Sequence, residues 1–380
     1  MPFSSLGLSP ALLAVLAEQN YKQPYPVQEA VIPPVLQGKD ILGIAQTGSG
    51  KTAAFALPVL ELLRIRPESK NRHIQVLVLV PTRELAVQTA NVFQLFGSKL
   101  REGIKTLAVH GGVSINPQMM QLRSVDILVA TPGRLLELID SNAVHLSSTD
   151  ILILDEADKM LNQGFKQEMD RLLGLLPAKR QNLLFSATLG IDVSEMAALL
   201  LHDPVRIEIK PEPQQLDLIT QTAYAVSAER KGPLLRYLIK QKEMDQVLVF
   251  TSSVHKANSV VSKLRGNGIH ADSMHSQKSQ GGRTEALKQF KAGTLHVLVA
   301  TDLASRGIDI PFLPYVINYE LPRSPKDYIH RIGRTGRAEA PGNAISLVSP
   351  DEEHHFKVIQ KKMGKQVPLI ESHDFDLKGY

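Results

Sequence analysis

Seven short apolar runs punctuate this chain, each followed by a polar loop and then a helix-period pattern. They are Ile41–Ile44, Val76–Val80, Ile127–Ala130, Ile151–Leu154, Leu183–Phe185, Val247–Phe250 and Val297–Ala300. Runs without polar alternation belong to strands covered on both faces, and strands alternating with helices make parallel sheets. Such sheets bind ligands beyond the carboxyl ends of their strands. The polar motifs of this chain follow those runs, so the spacing places them on one edge.

The length of 380 residues predicts two domains, each long enough to bury its own core. The halves echo each other: Leu128-Val-Ala-Thr131 matches Leu298-Val-Ala-Thr301, which predicts two related α/β lobes. The proline-bearing, aperiodic stretch Lys210–Gln215 marks the linker. The boundaries read as a first lobe over 1–208, a linker over 209–216, a second lobe over 217–368 and an extension over 369–380.

Composition narrows the classes. A net charge of +5 permits a polyanionic partner without requiring one. With no cysteine there are no disulfides, thiolate metal sites or cysteine nucleophiles, which fits a reducing compartment. No apolar stretch approaches the roughly 18 residues of a membrane span. No Lys or Arg precedes Lys22, and Ser9-Pro10 reads as a helix start, so no signal peptide is expected.

Two motifs supply the parts that nucleotide hydrolysis requires. Ala45-Gln-Thr-Gly-Ser-Gly-Lys51-Thr52 follows the first run, and Asp155-Glu156-Ala157-Asp158 follows the fourth. Small residues let backbone N–H groups cradle phosphate, a Lys neutralises it, and a hydroxyl binds Mg²⁺. Lys51 and Thr52 open a predicted helix toward Leu63, whose positive end favours phosphate. Of two adjacent carboxylates at a strand end, one can hold Mg²⁺ through water while the other activates the attacking water.

Only the first half has Gly-Lys-Thr, so the second must contribute something else. His330-Arg-Ile-Gly-Arg334-Thr-Gly-Arg337 sets three arginines around two glycines. Glycines admit a phosphate to the backbone, and guanidinium groups match its oxygens bidentately. Arginine fingers reaching across a cleft would complete the site. The histidines show no metal-ligand spacing, and Ser186 lacks a His and Asp context for nucleophilic catalysis.

These motifs together resemble the DEAD-box RNA helicases of helicase superfamily 2, bacterial type, over about residues 3–350. The resemblance implies two tandem RecA-like lobes, each a parallel sheet with helices on both faces. It implies that Tyr21 stacks on adenine and Gln28 hydrogen-bonds the base edge. Gln46, Thr47, Gly48, Ser49, Gly50, Lys51 and Thr52 then hold the phosphates of ATP. Thr52 and, through water, Asp155 hold Mg²⁺, and Glu156 is the catalytic carboxylate. Asp158, Ser186, Thr188 and His330 couple hydrolysis to lobe closure.

The same resemblance assigns RNA contacts to Pro81, Thr82, Arg83, Gly111, Gly112 and Thr131-Pro132-Gly133-Arg134 in the first lobe. In the second it assigns them to Thr251, Ser252, Gln280, Arg283, Thr301, Asp302 and Arg306. Asp309 takes the ribose, and Arg334 and Arg337 the γ-phosphate. The implied activity is ATP-dependent, local, non-processive unwinding of RNA by a cytoplasmic monomer, away from membranes. Ribosome-maturation or RNA-decay proteins are the implied further partners. Backbone and 2′-OH contacts fit a chain with no Trp and 5% aromatic residues, which suits little base stacking. An ATP-gated RNA clamp that separates no strands would carry the same motifs, and a DNA helicase is the other rival.

Overall fold

Each of the seven apolar runs forms a strand, and among the described residues seven further strands join them. The structure, a computed structural model, describes residues 1–46, 48–65, 73–100, 104–162, 164–209, 219–302, 313–336 and 342–380. The chain divides into two compact units, Met1–Pro211 and Glu212–Tyr380. Most of the predicted linker lies outside the described residues.

The first unit holds β1 (Ile41–Ile44), β2 (Val76–Leu79), β3 (Thr106–Val109), β4 (Ile127–Ala130), β5 (Ile151–Leu154), β6 (Gln181–Ser186) and β7 (Val205–Glu208). Its helices are α1 (Pro10–Glu18), α2 (Pro26–Leu36), α3 (Lys51–Arg64), α4 (Arg83–Gly97), α5 (Ile115–Gln121), α6 (Pro132–Asp140), α7 (Ala157–Asn162), α8 (Lys166–Gly174) and α9 (Ile191–Leu200). The second unit holds β8 (Ile219–Ala225), β9 (Val247–Thr251), β10 (Ala271–Met274), β11 (Val297–Thr301), β12 (Tyr315–Asn318), β13 (Gly342–Val348) and β14 (Leu369–Glu371). Its described helices are α10 (Lys231–Gln241), α11 (Val254–Arg265), α12 (Gln280–Lys291), α13 (Pro325–Ile332) and α14 (Glu353–Met363).

Both sheets have seven strands, in the orders β3-β4-β2-β5-β6-β1-β7 and β10-β11-β9-β12-β13-β8-β14. The neighbouring strands pair in parallel. Adding seven to each strand of the first order gives the second, so the units are topological repeats. The matching tetrapeptides fall on β4 and β11, which occupy the same place in their sheets.

The strands are apolar on both faces because helices cover both. Val76 and Val78 of β2 enter one core with Phe55 and Phe93, while Leu77 and Leu79 enter the opposite one with Leu135 and Met160. The second unit repeats this: Val247 and Val249 face one core, Leu248 and Phe250 the other. Each buried Val, Leu or Phe contributes about 1.5–3 kcal/mol. The segment 369–380 is integrated into the second unit. Its β14 pairs with β8, and the Phe375 ring packs 5.9 Å from Tyr224 and 5.4 Å from Tyr237. No helix among the described residues is long and apolar enough to cross a membrane.

Candidate functional site

The loop after β1 turns sharply into α3. Gly48 and Gly50 take φ of +84° and +91°, a left-handed backbone that glycine adopts without strain. A Cβ on Gly50 would also meet the Gln28 amide nitrogen at 2.7 Å. Gln28 is fully buried in the first turn of α2. Its Oε1 accepts from the Tyr25 N–H at 3.0 Å, and its Nε2 donates to the Gly50 carbonyl at 3.2 Å. One side chain therefore caps α2 and ties it to the phosphate loop. The amide predicted to read adenine also holds the loop that follows.

Lys51 opens α3 with its ammonium buried. Its Nζ donates to the carbonyls of Ala45 (2.5 Å) and Gln46 (2.8 Å). Burial pulls its pKa down, against the pull of the Asp155 and Glu156 charges. The Ser49 hydroxyl is buried and has no hydrogen-bond partner among the described residues. A glycine-lined turn, a buried ammonium that donates to main-chain carbonyls and, among the described residues, a hydroxyl without a partner fit a nucleotide's phosphates.

Asp155 and Glu156 follow β5. Burial pushes the Asp155 carboxyl up to about 6, opposed by Lys51 and reinforced by Glu156. Its Oδ1 accepts from the Glu156 N–H at 2.9 Å. Glu156 takes φ of +56°, strain of roughly 1–3 kcal/mol for a residue with a side chain. Its Oε1 pairs with Lys159 at 2.7 Å, one turn along α7. The buried, adjacent carboxylates beside the phosphate loop fit a hydrated divalent cation.

The third segment at this place follows β6. Thr188 donates to Asp158 Oδ2 at 3.3 Å, and the Ser186 hydroxyl to the Thr188 carbonyl at 2.7 Å. The Ala45 N–H donates to the Ser186 carbonyl at 3.0 Å. Because β5, β6 and β1 are neighbours, the acidic tetrad, Ser186–Thr188 and the phosphate loop sit side by side. Tyr21 packs edge-on against Phe96, with ring centroids 5.5 Å apart.

The other half of the same edge carries different groups. Thr82 caps α4, accepting from the Leu85 N–H at 3.3 Å. Gly112, after β3, has φ of +77°, and a Cβ there would lie 1.8 Å from Arg83 Nη1. Arg134 of α6 donates to Glu137 (2.8 Å) and to the Val113 carbonyl (2.8 Å), while its Nη1 is buried without a partner. Thr131, the N-cap of α6, is also buried. Arg83, Gly112 and Arg134 thus converge beyond β2, β3 and β4.

In the second unit the Ser252 N–H and hydroxyl both donate to Glu320 Oε2, at 2.8 and 2.7 Å. Gln280 and Arg283 lie in the first turn of α12, capped by Ser279. Thr251 and Thr301 end β9 and β11. Arg331, the first arginine of the His330–Arg337 segment, is 2% exposed. Its guanidinium pairs with both oxygens of Asp302 (2.6 and 2.8 Å), donates to Asn318 (3.0 Å) and to the Glu320 carbonyl (2.7 Å), and lies 4.9 Å over Phe250. Asp302 therefore anchors the Arg331 guanidinium. His330 and Arg334 flank this anchor, and the Arg334 carbonyl accepts from the Leu313 N–H at 3.1 Å. Thr47, Arg306, Asp309 and Arg337 lie outside the described residues.

Residues 25–196 match the DEAD/DEAH box helicase family, and 230–339 match the helicase conserved C-terminal domain. The chain is 39% identical to the DEAD-box ATP-dependent RNA helicase CshA of Streptococcus pneumoniae, over 97% of this chain and 69% of that one. It is 40% identical to the ATP-dependent rRNA helicase RRP3 of Gibberella zeae, over 96% of this chain and 74% of the relative. The structure of Saccharomyces cerevisiae Dbp5 bound to RNA and ADP BeF3 matches at a TM-score of 0.84 and 30% identity, covering 100% of this chain and 97% of that one. The chain belongs to the DEAD-box family of ATP-dependent RNA helicases.

Its two units are the RecA-like lobes of that family. In this DEAD-box helicase, several residues that shape the sites escape sequence motifs. Lys159 is a lysine one helical turn after the acidic pair. Gln118 of α5 accepts from the His110 N–H at 2.9 Å and donates to the carbonyls of His110 (3.3 Å) and Ser114 (3.2 Å), bracing the loop that carries Gly112. Glu320 holds Ser252. The spacing of Lys159 from Glu156 along α7 was a usable signal; Gln118 and Glu320 had none.

Proposed function

We propose that this helicase couples ATP turnover to local, non-processive separation of short RNA duplexes. The observation that carries this reading is the partition of one sheet edge. The phosphate loop, acidic tetrad and Ser186–Thr188 follow β1, β5 and β6, and the Arg83, Gly112 and Thr131–Arg134 groups follow β2, β3 and β4. A nucleotide at one end and a strand of RNA at the other would share a single rigid sheet.

Magnesium-ATP supplies the phosphoanhydride and the metal charge that stabilises the transferred phosphoryl group. Lys51 would hold the β- and γ-phosphates, and Thr52 and Asp155 the cation, Asp155 through water. Glu156 accepts the proton of the attacking water, and its pairing with Lys159 holds the carboxylate in place. Thr188 and Ser186, bonded to Asp158 and to the phosphate loop, transmit the state of the site along the sheet edge. Arg334 and Arg337 act on the γ-phosphate, and Asp309 on the ribose.

RNA is held through phosphate and 2′-OH, which carry no sequence information. The protein acts as a monomer in the cytoplasm, with ribosome-maturation or RNA-decay proteins as its partners, and the name of the rRNA helicase relative supports ribosomal RNA as a substrate. The deciding experiment compares short and long duplexes, of RNA and of matched DNA, for ATPase stimulation and strand release. ATP-dependent release of short RNA duplexes alone supports the proposal. RNA-stimulated hydrolysis without release would make the protein a clamp, and equal response to DNA would overturn the substrate assignment.

A further inference from the structure

The equivalence of the two sheets extends to single residues. Ile153, Leu183 and Ile41 stand abreast across β5, β6 and β1. Ile317, Ile345 and Thr222 stand abreast across β12, β13 and β8. Asp155 lies two residues beyond Ile153, and Tyr319 two beyond Ile317. Lys51 opens the helix after β1, and Lys231 opens the helix after β8. Both lysines are buried, 6% and 4% exposed. Lys231 therefore stands in the second lobe where the phosphate-loop lysine stands in the first.

The two ammonium groups differ in what they hold. Among the described residues, Lys51 donates to carbonyls of its own loop. Lys231 donates to the Tyr319 carbonyl at 3.1 Å and to Glu352 Oε2 at 2.5 Å. The same Glu352 oxygen accepts from the Ser349 N–H (3.1 Å) and the Ser349 hydroxyl (2.7 Å), and its Oε1 accepts from the Leu321 N–H (3.2 Å). An ammonium, a hydroxyl and main-chain N–H groups are the donors that a phosphate cradle offers. A second cation lies at the same helix end. Arg236 is 8% exposed, its Nε is buried without a partner, and its Nη1 would lie 3.4 Å from a Cβ on Gly232, in the first turn of α10.

We propose that the second lobe retains an oxyanion cradle equivalent to the phosphate loop and fills it with its own Glu352 carboxylate. The carboxylate is a built-in ligand. It satisfies Lys231, joins α10 to the ends of β12 and β13, and closes the cradle to phosphate. Removing it opens a site for a small tetrahedral oxyanion, which Lys231 and Arg236 together favour over a monoanion of similar size.

The test is anion rescue in the full chain, read as thermal unfolding of the second lobe and independent of ATPase. Wild type, Glu352→Ala, Glu352→Gln and the double variant Glu352→Ala/Lys231→Met are melted in chloride with and without inorganic phosphate or formate. Phosphate should raise the Glu352→Ala midpoint by roughly 2–4 °C more than it raises wild type, the size expected for a ligand at several times its Kd. The glutamine variant, whose amide fills the space, and the double variant should show no such excess. Formate should rescue less than phosphate. If Glu352→Ala folds only when phosphate is present, that is the same rescue. Equal phosphate shifts in wild type and Glu352→Ala, an unchanged response in the double variant, or failure to fold in both media would overturn the proposal.

Discussion

Lys159 holds Glu156 at 2.7 Å, and both side chains are nearly inaccessible, 11% and 5% exposed. Glu156, proposed above as the proton acceptor, therefore has a cationic partner in the helix that follows it. Glu156→Gln should retain ATP binding and lose turnover by roughly 10²–10⁴-fold, because the amide cannot accept the water's proton. It should also hold RNA longer in ATP. Lys159→Met should lower kcat more than ATP affinity. Single-turnover hydrolysis and nucleotide titration of both variants check this; near-wild-type rates in Glu156→Gln would remove Glu156 from the chemistry.

Gly112→Ala places a methyl group where Arg83 now lies, in a left-handed backbone. The arginine is flexible and must move, so the fold should survive while RNA binding weakens. Losing one phosphate contact should cut affinity uniformly across sequences and reduce the slope of log affinity against log salt by about 1. Nucleotide affinity should not change, because the loop belongs to β3 and the phosphate site to β1. An RNA titration at two salt concentrations would contradict this if the slope stayed the same.

Gln28→Ala removes both the α2 cap and the tie to Gly50. Each lost hydrogen bond costs about 1 kcal/mol, and buried partners left behind add to it. Affinity for ATP and GTP should fall together through a loosened phosphate loop. A further loss confined to ATP reports reading of the base edge. Binding titrations with both nucleotides separate the two effects, and unchanged affinity for both would show that the tie is idle.

Arg331→Met removes the guanidinium that pairs with Asp302 at the end of β11 and bonds the Glu320 carbonyl beyond β12. Breaking a buried pair costs about 3–5 kcal/mol, and the partial exposure of Asp302, 31%, argues for the lower end. Denaturant unfolding of the full chain should show the second lobe's transition move while the first lobe's stays. Equal loss in both transitions would show that Arg331 does not act locally.

Glu352 gives an acid limb. Burial raises its pKa, but hydrogen bonds from Lys231 and Ser349 and the Lys231 charge outweigh burial and hold the carboxyl below the ordinary 4.5. A depressed folded value means that the stabilisation is complete above about 4.5 and is lost as pH falls through the folded pKa. Second-lobe unfolding followed from pH 7 to 3 should show this loss in wild type and a shallower one in Glu352→Gln. Parallel curves would show that Glu352 does not set the limb.

The sequence by itself determined the seven central apolar strands, the carboxyl edge on which the motifs lie, and the repeat of Leu128–Thr131 in Leu298–Thr301. These depend on local composition and spacing, which neighbouring residues carry. Seven strands had no comparable signal. The sheet-edge strands β3, β7, β10 and β14 are covered incompletely or carry polar residues, and β8, β12 and β13 interrupt their apolar pattern. Asn318 and Ser346 are buried in β12 and β13 because Asn318 donates to Ser346 at 3.3 Å and the Tyr328 hydroxyl meets Ser346 at 3.1 Å. Such polar residues read as loop until their distant partners are known.

Side-chain partners across the chain were decided only by the tertiary structure. From sequence, Arg331 was one of three arginines around two glycines with no role of its own, and Lys231 and Glu352 were unremarked. Folding brings Arg331 to Asp302, 29 residues away, and Lys231 to Glu352, 121 residues away. The type of each residue sets the charge it can offer, and a motif fixes a backbone shape over a few positions. Which opposite charge arrives to meet it depends on strand order, and strand order is a property of the whole sheet.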